Sequence, residues 1–174
     1  MFFSLKSLRR LSALALLSIS ASAHEVKEMT ARARILSDRV EMAITVSAHM
    51  AGVLMGEPKA VPTPETVPAL RARLEAQARA FCTLLPGGKK ALAPTSVDVV
   101  MTTSEELGFY LTYPAVAQSP LRFEMTVLDR LEPGNVVTIE VLDAARKPLA
   151  SKPLTRDGKA IDIPLPANAP PLGK

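Results

Sequence analysis

Met29-Thr30-Ala31-Arg32-Ala33-Arg34-Ile35, followed after a short gap by Val40-Glu41-Met42-Ala43-Ile44-Thr45-Val46, is the stretch on which the fold turns. In the first run Ala31, Ala33 and Ile35 alternate with Arg32 and Arg34. In the second, Val40, Met42, Ile44 and Val46 alternate with Glu41, Ala43 and Thr45. A period of two sends successive side chains to opposite faces, so each run reads as a strand with one apolar face. Ser37-Asp38 between them suits a tight turn. Residues 26–36 and 40–48 are therefore expected to form a hairpin. With Ile35 opposite Val40, Arg32 and Arg34 face outward beside Glu41 and Thr45.

Working outward, residues 49–55 fit either the end of a strand or a short helical turn. Residues 56–64 contain Pro58, Pro62 and Pro64 and read as a loop. Residues 65–85 place Val67, Leu70, Leu74, Ala78, Phe81 and Leu85 at spacings of three and four, with Arg71, Arg73, Glu75 and Arg79 on the other side. This predicts one amphipathic helix, with Thr63 or Thr66 at its start, packed on the domain's own sheet. Beyond Pro86-Gly87-Gly88 the chain returns to period two. Alternation recurs at Val97, Val99 and Met101; at Leu107, Phe109, Leu111 and Tyr113; at Leu121, Phe123, Met125 and Val127; and at Val137, Ile139 and Val141. Residues 149–155 and 159–163 read as a last hairpin about Asp157-Gly158. The expected fold is mainly β: an immunoglobulin-like β-sandwich of about seven to nine strands with one amphipathic helix inserted after the first hairpin.

Upstream lies an export signal. Lys6, Arg9 and Arg10 precede a short apolar run from Leu11 to Ile19, and Ala21-Ser22-Ala23 offers the small residues of a cleavage site. The expected organisation is a signal peptide over residues 1–23, a sandwich domain over 24–163 with its helix at about 65–85, and a proline-rich tail over 164–174. Export places the mature chain in the periplasm or outside the cell.

The net charge of +4 is largely a property of the signal. Its three basic residues are taken from 21, leaving 18 Lys and Arg against 17 Asp and Glu in the remaining chain. Near-neutrality provides no electrostatic footprint for nucleic acid. No apolar run after the signal is long enough to span a bilayer, so no membrane insertion is expected after cleavage. The single cysteine, Cys82, cannot close an internal disulfide and reads as a small buried apolar residue. Only His24 and His49 are available for histidine chemistry, and there is no Gly-x-Ser-x-Gly elbow, Cys-x-x-Cys pair or glycine-rich phosphate loop. Glu105-Glu106 reads as solvated loop charge. A non-enzymatic protein is expected.

Cleavage after Ala23 would free the α-amino group of His24, which with its imidazole suits Cu(II). Continuing the pairing of Ile35 with Val40 puts His49 opposite Val26 and His24 opposite Ala51. The two histidines would then be diagonal neighbours on the outer face, about 7–8 Å apart. His24 and His49 are the candidate metal ligands, and copper the candidate cofactor.

Ala23-His24-Glu25-Val26, then a hairpin, a helix and a run of strands including Leu121-Arg122-Phe123, Leu131-Glu132-Pro133-Gly134 and Val136 to Asp143, resembles the exported N-terminal region of HupE/UreJ-type membrane proteins. That resemblance implies a β-rich extracytoplasmic domain linked to nickel import and hydrogenase or urease maturation. No membrane segment follows in the sequence to Lys174, so the expectation it leaves is an exported binding or accessory domain whose partner is a separate membrane protein. His24 and His49 also resemble the ligands of CopC-type periplasmic copper proteins, which implies the alternative function, a periplasmic copper-binding protein using the mature N-terminal histidine.

Overall fold

The alternating stretch forms two adjacent strands, β1 (Met29–Ile35) and β2 (Arg39–Ser47). They pair antiparallel with Ile35 opposite Val40 and Thr30 opposite Thr45, the register expected from the turn. Met29, Ala31, Ala33, Val40, Met42, Ile44 and Val46 are buried on one face. A computed structural model describes residues 29–165; the expected signal peptide over 1–23, His24 and residues 166–174 lie outside the described residues.

The chain then makes α1 (Ala48–Leu54), α2 (Val67–Ala78), β3 (Thr83–Pro86), β4 (Ser96–Met101), β5 (Glu106–Pro114), β6 (Leu121–Glu124), a 3-10 helix (Thr126–Arg130), β7 (Val137–Leu142), β8 (Pro148–Leu154) and β9 (Ala160–Ile163). Six strands form one sheet in the order β4-β5-β2-β1-β7-β8, and three form a second in the order β3-β6-β9. Both contribute to one apolar core. The protein is thus mainly β, with two sheets and nine strands among the described residues, as a β-sandwich with a helical insertion requires.

The long helix is shorter than expected, and there are two α-helices in place of one. Residues 83–86 belong to β3, paired with β6 from Thr83 opposite Glu124 to Pro86 opposite Leu121. A helix continuing past Ala78 would need the carbonyls of residues 80–82 for its own N–H groups. Those carbonyls instead accept from Thr126 Oγ1 at 2.8 Å, Val127 N at 3.1 Å and Tyr113 Oη at 2.9 Å. Phe81 and Leu84 keep the buried periodicity without the helix. Phe81 meets Phe109 edge to face at 5.1 Å between ring centroids.

The expected last hairpin is corrected. β8 pairs with β7 in the large sheet, whereas β9 pairs with β6 in the small one. Thr155 and Gly158 form only an isolated bridge where the chain crosses between sheets. The strand expected over residues 121–128 stops at Glu124, and the apolar residues after it, Val127 and Leu128, stay buried in the 3-10 helix. Leu165, placed in the tail by its prolines, packs against the core, and its N–H donates to Ser119 Oγ at 3.1 Å.

Candidate functional site

Residues 49–55 take the helical of their two expected forms, within α1, so the β2 ladder that the His24–His49 pairing needed ends at Ser47. The Ser47 hydroxyl caps α1 by accepting from Met50 N at 3.2 Å, and Ala48 N donates to the Glu105 carbonyl at 2.7 Å. His49 is therefore an exposed residue of the first turn of α1, not a ladder partner of Val26. It lines a shallow cleft with Met50, Val53, Leu131, Glu132 and Asn135. His24 lies outside the described residues. Among the described residues no cluster of three or more His, Cys, Asp or Glu could hold a metal ion.

Cys82 is buried, as expected. Desolvation raises its pKa far above the ordinary thiol range, so it stays neutral and is a poor nucleophile. Lys89 and Lys90 are exposed.

A concavity lies on the outer face of the large sheet, over β1, β2 and β5. It has a volume of about 520 Å³ and is lined by Arg32, Arg34, Glu41, Ala43, Tyr110, Thr112, Leu142 and Arg146, with edges of Met42 and Leu111. The register explains the hollow. One rank of outward residues runs Thr112, Glu41, Arg34, Leu142; the next runs Tyr110, Ala43, Arg32, Glu140. Ala43 is a methyl group between two long side chains, and the space above it is the floor of the groove.

Its electrostatics follow from who pairs with whom. Arg32 Nε binds Glu140 Oε2 at 2.7 Å. Glu41 is taken by Arg39, whose Nε and Nη2 reach Oε1 at 2.8 and 2.7 Å. That bond, then the one to Asp38, raises the Arg39 pKa further above its ordinary value. Arg34 is left over. It is half-buried, and its Nε is hidden from solvent without a hydrogen-bond partner among the described residues. A buried donor left unpaired costs about 1–3 kcal/mol.

Arg146 reaches the groove from the turn between β7 and β8. Asp143 organises that turn: its carbonyl accepts from Arg146 N at 3.0 Å and its Oδ1 from Lys147 N at 2.8 Å. Arg146 has φ 65°, in the left-handed region that a residue with a Cβ enters at a cost. Tyr110 completes the rim at 46 % exposure. Its ring lies over Gly108, where an added Cβ would come within 3.0 Å of Cε2 and 3.1 Å of the hydroxyl. Glycine there lets the ring lie along the strand beside the groove.

The outward alternation of Arg32, Arg34 and Glu41 was readable from the sequence, but not which carboxylate each arginine would take. Arg146 had no sequence signal, because its left-handed backbone is set by a turn that only the β7–β8 pairing creates. No protein-family model matches the chain, and a search of curated proteins finds no match.

Proposed function

We propose that the protein is an exported, non-enzymatic binding or accessory domain that works beside a membrane protein of metal import, with the outer face of its six-stranded sheet as the binding surface. The carrying observation is Arg34, a half-buried arginine without a carboxylate partner among the described residues, lining a groove built by sheet register. The export signal in residues 1–23 supports the location, and the resemblance to the exported region of HupE/UreJ-type proteins supports the kind of partner. Ligand pockets are concave and carry a few convergent polar groups on an apolar lining, and this groove combines Arg34 and Arg146 with Ala43, Tyr110 and Leu142.

The test uses protein secreted with its own signal and shown by N-terminal sequencing to start at His24. Separate panels of sugars, amino acids, organic acids and metal salts are screened by thermal shift. A compound that raises the melting midpoint of the wild type, but not of Arg34→Leu, supports the groove as the binding surface. A screen without any shift, or a shift that Arg34→Leu leaves intact, overturns it.

A further inference from the structure

Three guanidinium groups and one carboxylate line the groove. Arg32 is engaged by Glu140 and Glu41 by Arg39, so two cations, Arg34 and Arg146, face it without a carboxylate partner among the described residues. The imbalance is local, because acidic and basic residues nearly cancel over the chain that follows the signal. Guanidinium forks match carboxylates in a planar, two-bond geometry that a lysine cannot reproduce. The rest of the lining selects an organic body over a bare inorganic ion. Ala43 forms a methyl floor, Leu142 is an apolar wall at 8 % exposure, and Tyr110 lines the rim beside them. The volume of about 520 Å³ lies within the range of small-molecule sites.

We propose that this groove binds a small organic dicarboxylate, one carboxylate accepting from the Arg34 guanidinium and the other meeting Arg146 at the rim. The proposal rests on the reading of the groove as the binding surface and adds the chemical class of its ligand. Arg34 is the deep anchor, being half-buried and without a carboxylate partner among the described residues. Arg146 is the outer clamp, held over the groove by a backbone conformation that glycine would adopt more easily.

Isothermal titration calorimetry of the full secreted protein with malonate, succinate, glutarate and adipate tests this, beside propanoate, succinamide and inorganic phosphate. One dicarboxylate should bind at least ten times more tightly than propanoate, and succinamide should give no heat. Arg34→Gln should weaken that dicarboxylate at least tenfold, and Arg34→Lys, which keeps charge but loses the fork, should not restore it. Arg146→Gly should weaken it three- to tenfold while leaving the melting midpoint unchanged or higher, since it relieves the left-handed strain. That variant keeps the test decisive should Arg34→Gln fail to fold. Absence of dicarboxylate binding, or affinity within twofold of wild type in folded Arg34→Gln or Arg146→Gly, overturns the proposal. Phosphate binding as tightly as the best dicarboxylate overturns the organic class. A neutral compound that binds through Arg34 in the thermal screen would remove the dicarboxylate and leave the binding surface standing.

Discussion

One carbon added at Gly52 would put a Cβ 2.8 Å from the Ala60 carbonyl oxygen and 3.0 Å from that of Glu57. Glycine inside a helix ordinarily costs about 1 kcal/mol relative to alanine. Here the sign should invert, because the loop after α1 is pressed against the helix and Glu57 N donates to the Gly52 carbonyl at 2.9 Å. Gly52→Ala should destabilise by about 1–3 kcal/mol in urea melts, as overpacking does. A second consequence at this scale concerns alkali. Burial raises the pKa of both Cys82 and Tyr113, whose hydroxyl donates to the Cys82 carbonyl. In the unfolded chain they lose protons near about 8.5 and 10; in the folded one they keep them to higher pH. The unfolded state then binds fewer protons than the native state, so stability falls as pH rises. The urea midpoint should hold below about pH 8, then decline, with a shallower decline between about pH 8.5 and 10 in Cys82→Ala. A thiol reagent at pH 8 should label Cys82 only after denaturant is added, and rapid labelling of the native protein would contradict its burial.

α2 makes its energetic case through one face. Val67, Leu74 and Ala78 are buried, whereas Arg71 and Arg73 point to Asp98 and Glu57 at 2.6 and 2.8 Å in exposed ion pairs. Leu74→Ala should cost about 2–5 kcal/mol. Arg73→Ala should cost about 0.5 kcal/mol or less, since exposed pairs are worth little. Equal losses in paired urea melts would contradict this packing. The element also marks how far the sequence could be read. Strands with a strict period of two, β1, β2, β5 and β7, lie close to their expected positions because one buried face fixes both type and register. The C-terminal end of α2 was hidden because Phe81 and Leu85 continue a helical spacing that a buried strand also tolerates. Donors from residues 113, 126 and 127 stop the helix, and no local pattern names them. The partners of β8 and β9 were hidden for a similar reason: Asp157-Gly158 marks a turn, but the chain leaving a turn can enter either sheet. At the site, the outward arginines were legible and their depth was not, since Arg34 is set apart from Arg32 only by where Glu41 and Glu140 are drawn.

Across the whole molecule the two sheets are tied by buried contacts and by arginine clamps. Arg130 donates to the Leu54 carbonyl at the end of α1. Arg156 donates to the carbonyls of Leu128 and Leu131, fastening the 3-10 helix to the crossing segment that follows β8. Arg156→Ala should lower stability by about 1–3 kcal/mol by leaving part-buried carbonyls unpaired, measurable as a lower urea midpoint with an unchanged slope. The central strand has a further consequence. β1 lies between β2, its immediate successor, and β7, to which it pairs in parallel; Arg32 and its ion-pair partner Glu140 are 108 residues apart. Joining them closes a long loop, and sheets dominated by such distant partners fold on a scale of about milliseconds to seconds. Refolding should fall in that range by stopped-flow fluorescence of Tyr110 and Tyr113. A growing chain that has not yet reached residue 137 cannot complete the middle of its own sheet. Under the proposed export, lateness of this kind would be useful: a chain crossing a membrane would stay without the middle of its sheet until β7 had followed β1 across.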